Sequence, residues 1–280
     1  MRLKKHKKGM VLILVLGVLF GIMIMPLLYI RLEEKRFQFD REIGDIQYSA
    51  IELYQEADKV LFYVDESARY AVHQAVYDLA LNGGFAEVNQ ALIGYAIWAP
   101  GNYPEPKKAL PVFVDKYLNE YLAAYPETLP INNYDYFVDQ KDKLEVNGIA
   151  AINLDFNKED EKETYSTDYS IKPSFKVIMD YNIYDYELLN QASYEMVNYV
   201  ANCEGEKTFD ECVTESVSDA NSKLISRNMQ IDEGPNSGRT YGFSAKSSKK
   251  VIAYDSSDSK TEFRPVVIKF ALEFPSKKTT

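Results

Sequence analysis

No charged residue occurs between positions 10 and 30 of this chain, and five basic residues stand ahead of that run: Arg2, Lys4, Lys5, Lys7 and Lys8. As a helix rising ~1.5 Å per residue, the run reaches about 30 Å, the thickness of a bilayer's hydrocarbon core. A helix is the form that satisfies its own backbone polar groups in that medium. The run therefore predicts one membrane span, and it restricts everything after it to a domain tethered at the membrane.

Flanking charge predicts the orientation. The bases before the span have no acidic neighbours, whereas Arg31, Lys35 and Arg36 are mixed with Glu33 and Glu34. Basic flanks stay in the cytoplasm, and carboxylates count little. The N-terminus is expected inside and the bulk of the chain outside. A cleaved secretory signal is the competing reading. It requires small residues before a cut site, but the apolar run closes on Met23-Ile24-Met25-Pro26-Leu27-Leu28-Tyr29-Ile30. An uncleaved signal anchor fits better.

The expected outer part is acidic. Of 32 Lys+Arg and 42 Asp+Glu, residues 31–280 keep 27 basic and all 42 acidic side chains. Nucleic-acid binding, which depends on clustered bases, is not expected. Cys203 and Cys212 are the two cysteines. Outside the cytoplasm they can close a local disulfide; two free thiols are the alternative. Their spacing is too wide for a zinc knuckle, and the histidines are His6 and His73 alone.

Beyond the span, apolar or small residues recur at Ile43, Ile46, Ala50, Leu53, Ala57, Val60 and Val64. This alternation of threes and fours is the seam of a coiled coil. It continues through Ala68, Ala71, Ala75 and Leu79 to a helix stop at Asn82-Gly83-Gly84. Such a helix either packs along its own domain or meets another copy. Within the span, Gly17 and Gly21 form a GxxxG spacing that allows two membrane helices to approach closely. Residues 85–98 read as a short helix. A further helix is expected from Pro111, at its first turn, to Tyr125.

From Asn133 the period changes to two. Strands are expected at 134–138, on one or both sides of Asn147-Gly148, and at 175–181, with an exposed acidic loop over 157–170. Residues 184–201 read as helix, and 213–229 remain ambiguous. Strands follow at 240–245, 251–254 and 266–274, with a turn at 255–258. The fold class is therefore α+β: an N-terminal transmembrane helix continuing into a long helix, then a helical and mostly antiparallel-sheet ectodomain. The domains are a basic tail (1–9), the span (10–30), a stalk-like helix (31–84) and an extracytoplasmic domain (85–280).

No dinucleotide, Walker, zinc-protease, nucleophile-elbow or EF-hand pattern occurs. We identify no catalytic, metal or cofactor residue. His73, on the long helix, reads as a packing residue. The 22 tyrosines suit half-buried positions with hydroxyls at the rim, and also contacts to protein or carbohydrate. Lys7-Lys8-Gly9-Met10 ahead of the apolar run resembles a type IV prepilin leader. That resemblance implies cleavage after Gly9, Met10 as first mature residue, and a filament-forming helix. Leu14 stands at the fifth mature position, where that family usually has a glutamate, an acid that some tip-type minor pseudopilins also lack.

The segment 54–71 (Tyr-Gln-Glu-Ala-Asp-Lys-Val-Leu-Phe-Tyr-Val-Asp-Glu-Ser-Ala-Arg-Tyr-Ala), with Tyr77-Asp78-Leu79-Ala80-Leu81-Asn82-Gly83-Gly84 and the late Pro265-Val266-Val267-Ile268-Lys269-Phe270-Ala271-Leu272, is similar to uncharacterised single-span archaeal proteins. This implies a membrane-anchored architecture and no particular activity. The function expected is a structural, scaffold or interaction module, with a homo-oligomer or protein partner. The alternatives are a pilin-like subunit and the accessory of a cell-surface enzyme.

Overall fold

The computed structural model describes residues 5–159, 166–203, 205, 207–255 and 259–275, with only the backbone described at 5–15, 38–42 and 159. Its helices are α1 (Lys5–Leu81), α2 (Pro106–Ala123), α3 (Asp185–Cys203) and α4 (Phe209–Leu224). Its strands are β1 (Ala91–Leu92), β2 (Tyr95–Trp98), β3 (Tyr134–Gln140), β4 (Leu144–Ala150), β5 (Leu154–Glu159), β6 (Ser166–Ile171), β7 (Phe175–Met179), β8 (Met229–Ser237), β9 (Thr240–Asp255) and β10 (Lys260–Glu273). The chain is thus mixed α+β. Two compact units divide it: Met1–Asp58 with Asp155–Ser170, and Lys59–Leu154 with Ile171–Thr280. Helix α1 contributes residues to both.

In the first unit, β5 and β6 form a two-stranded sheet. Lys158 of β5 pairs with Glu52 of α1, and the rings of Tyr54 and Tyr169 lie 5.8 Å apart. The sequence reading of 157–170 as loop is corrected here. β5 runs to Glu159 and β6 begins at Ser166, while 160–165 lie outside the described residues.

The second unit holds the main core. Its part of α1 buries Val60, Val64, Ala68, Ala71, Val72, Ala75, Val76 and Leu79 to 2% exposure or less. Small alanines at helical spacing let neighbouring backbone come close, which a row of leucines would prevent. The helix ends in a Schellman motif: Gly84 N–H donates to Leu79 O at 2.8 Å and Gly83 N–H to Ala80 O at 3.0 Å. Gly83 sits at φ 64°. A Cβ there would lie 2.6 Å from Lys269 O, so glycine is required by both torsion and space.

A five-stranded sheet has the order β1-β2-β10-β9-β8. β2 and β10 are parallel; the other neighbours are antiparallel. Trp98 stacks on Phe270 at 4.4 Å between centroids, and its Nε1–H donates to Gly83 O at 3.0 Å. Phe243, Phe270 and Phe274 are buried with it. A second sheet has the order β3-β4-β7, antiparallel throughout.

Several sequence assignments change. Residues 85–98 are not a helix. Ile93 (φ 46°) and Gly94 (φ 82°) form the two-residue turn of the β1–β2 hairpin, the torsion pattern of a type I′ connection. Helix α2 starts at Pro106, so Pro111 lies inside it. Asn147-Gly148 lies within β4. There Gly148 faces Phe175, whose ring would stand 2.3 Å from a Cβ at that position. The ambiguous 213–229 region is the end of helix α4, a 3-10 turn at Ile225–Arg227 and the start of β8, and 240–254 lies in one strand. Of the turn expected at 255–258, positions 256–258 lie outside the described residues.

Candidate functional site

Among the described residues one helical segment, Leu16–Phe37, is long and apolar enough to cross a membrane, with a mean hydropathy of 1.8 over its most apolar stretch. That stretch is wholly exposed in the chain alone. A methyl group on Gly17 or Gly21 would meet no atom within 4 Å. The seam divides along its length. Ile43 and Ile46 are 39% and 41% exposed, and Ala50 is exposed. Leu53, Ala57, Val60 and Val64 are 1–2% exposed. Gly9 and Met10 lie in the helical backbone of α1.

Cys203, the last residue of α3, is bonded to Cys212 in the first turn of α4, with Cα atoms 5.8 Å apart. Between them Thr208 caps α4. Its hydroxyl accepts from Glu211 N at 3.4 Å, and its own N–H donates to the Glu211 carboxylate at 3.0 Å. This capping box fixes the helix start, and therefore the place of Cys212.

Polar side chains of α1 meet β9 beyond the point where β8 stops pairing with it at Ser247. Ile252 N–H donates to His73 Nδ1 at 3.2 Å. Tyr254 N–H donates to Gln74 Oε1 at 2.7 Å, and Gln74 Nε2–H donates back to Tyr254 O at 3.2 Å. Tyr77 O–H donates to Asp255 Oδ2 at 3.0 Å. Because His73 Nδ1 accepts, the neutral ring carries its proton on Nε2. Burial, and then Arg69, lower its pKa.

Two cavities flank this contact. One, about 480 Å³, is lined by Gln74, Tyr77 and Asp78 of α1, Tyr117, Glu120 and Tyr121 of α2, and Tyr254 with Asp255 at the end of β9. Asp78 accepts from the Tyr117 hydroxyl and from Gln74 Nε2 at 3.2 Å. Asp255 is ion-paired with Arg264 at 3.3 Å. Burial first, then hydrogen bonding to Asp78, holds the Tyr117 phenol well above its ordinary pKa. Tyr121 is raised by burial and by Glu120 and Asp78. The other cavity, about 860 Å³ and more open, lies between α1 and β4–β7, where Asp65, Arg69, His73 and Lys176 mix both signs of charge.

Among the described residues no group of three or more His, Cys, Asp or Glu is placed to hold a metal ion. The sequence reading gave no site role to any of the tyrosine-cavity residues. They are gathered from positions 74–81, 117–121 and 254–261, and no local spacing links those segments. The abundance of tyrosine was the one signal. Compared with protein-family models, curated proteins and solved structures, the chain matches none.

Proposed function

We propose that this chain is a membrane-anchored extracytoplasmic protein that serves as a structural, scaffold or interaction module, displaying its α+β part at the outer membrane face. The observation that carries this reading is the apolar helical segment Leu16–Phe37, whose most apolar stretch is wholly exposed in the chain alone while Trp98, Phe243, Phe270 and Phe274 are buried. A bare apolar surface of that length requires a nonaqueous cover, and lipid supplies it. The basic N-terminus supports an inside start. The Cys203–Cys212 bond supports an oxidising compartment for the rest.

Self-association is part of the proposal. At about 100° of rotation per helical residue, Gly17, Gly21, Ile43, Ile46 and Ala50 fall on one face of α1. If the helix runs on from the span, a second copy inserted in the same sense meets that face in parallel. The glycines let the backbones approach, and the exposed isoleucines give the seam its apolar contact.

Expression with a C-terminal epitope tests the anchor. The chain should stay in the pellet on alkaline carbonate extraction, and protease added to intact cells should remove the tag. Release into the soluble fraction, or a protected tag, would overturn anchoring or orientation respectively. A chain that remains strictly monomeric after crosslinking in membranes would sink self-association. Intact mass separates anchor from processed leader: a chain beginning at Met10 would support the pilin-like alternative.

A further inference from the structure

The 480 Å³ cavity has an uncommon wall. Tyr77, Tyr117, Tyr121 and Tyr254 supply its rings, and Asp78, Glu120 and Asp255 its charge. No lysine or arginine is among the described residues that line it. The carboxylates are not equivalent. Asp255 is offset by Arg264, while the donors to Asp78 that line the cavity, Tyr117 and Gln74, are neutral and orient it without cancelling its charge. Glu120, also part of the wall, is exposed.

Burial and the nearby acids keep the phenols of Tyr77, Tyr117 and Tyr121 protonated. These rings therefore offer π faces and hydroxyls rather than further negative charge. One face already receives a cation: Lys116 Nζ lies 4.8 Å from the centroid of the Tyr117 ring. The volume is in the range of small-molecule sites, roughly 300–1,000 Å³, and far exceeds a bare ion. Aromatic faces combined with carboxylates select weakly hydrated organic cations over metal ions, which need convergent oxygen or nitrogen ligands.

We propose that this cavity binds a small organic cation, an alkylammonium or quaternary ammonium group, seated against the Tyr117, Tyr121 and Tyr254 rings with its charge facing Asp78 and Glu120. The proposal concerns the second compact unit and does not depend on the anchor.

Titration calorimetry of the full chain in maltoside micelles, which carry no ammonium group, tests it. The probes are tetramethylammonium, butylammonium and the neutral tert-butanol. Saturable binding of either cation, weakened by added salt and absent for tert-butanol, is expected. Glu120→Gln and Tyr254→Ala alter exposed side chains and should each weaken binding roughly fivefold. Absence of saturable binding for both cations would overturn the proposal. So would equal binding of tert-butanol, or unchanged affinity in both weakening variants when their thermal unfolding matches that of the unaltered chain.

Discussion

His73 and Asp185 make opposite demands on pH. The folded pKa of His73 lies below its ordinary 6.5, chiefly through burial. The unfolded chain therefore binds the extra proton first. Stability from the neutral ring is present above about 6.5 and is lost as pH falls toward the folded value. Burial raises Asp185 from 3.8 to about 6, against the pull of Arg227 and Lys249. Here the folded chain keeps the proton longer, so stability present below 3.8 declines as pH rises toward about 6.

The two slopes oppose each other in mildly acidic solution, and single variants should separate them. Asp185→Asn should raise stability at neutral pH by about 1–2 kcal/mol and steepen the loss on acidification. His73→Gln should flatten that loss. Thermal unfolding at stepped pH values in maltoside micelles reads both, and parallel profiles for all three proteins would contradict the assignment. Neither role was legible in the sequence. Position 73 on a helix was evident, but Ile252, its partner, is 179 residues away.

At the level of the elements, the informative residues are those whose local signal and tertiary setting disagree. Ile93-Gly94 makes a tight hairpin turn although isoleucine resists positive φ. Its apolar surroundings therefore read as a helix face. Asn147-Gly148 carries a strong turn signal, yet the ring of Phe175 across the strand takes the space a side chain would need. Gly148→Ala should consequently cost about 1–3 kcal/mol through that overlap, measured as a lowered unfolding temperature. A Gly148→Ala protein as stable as the parent would show that Phe175 moves aside freely.

The α3–α4 connection is a second element-scale case. Replacing Cys203 and Cys212 together with serine should lower stability by roughly 2–3 kcal/mol, because the short closed loop regains freedom when unfolded. Thermal unfolding under non-reducing conditions checks it. The strands with clean alternation, β3 and β10, were readable from sequence. The helix α4 was not, since its apolar face is short. The capping box Thr208–Glu211 was the signal that could have located it.

At the scale of the whole chain, the apolar run and the seam carried the sequence reading, and of the two it is the apolar run that returns in the structure, as the segment Leu16–Phe37. What the sequence could not convey is where the seam changes character. Ala50 and Leu53 look alike as seam positions, yet one is open and the other buried, because burial depends on what packs alongside and not on period. The bonds from His73 and Gln74 to β9 have a consequence for how molecules avoid one another. Beyond Ser247, strand β9 has outrun β8, and its outward amides at Ile252 and Tyr254 would template a strand from a neighbouring chain. The Gln74 amide occupies the place such a strand would take, donating and accepting as a peptide group does. Gln74→Ala should therefore raise light scattering at high protein concentration more than it lowers the unfolding temperature. The same helix segment that builds the core thus also guards the sheet against runaway pairing.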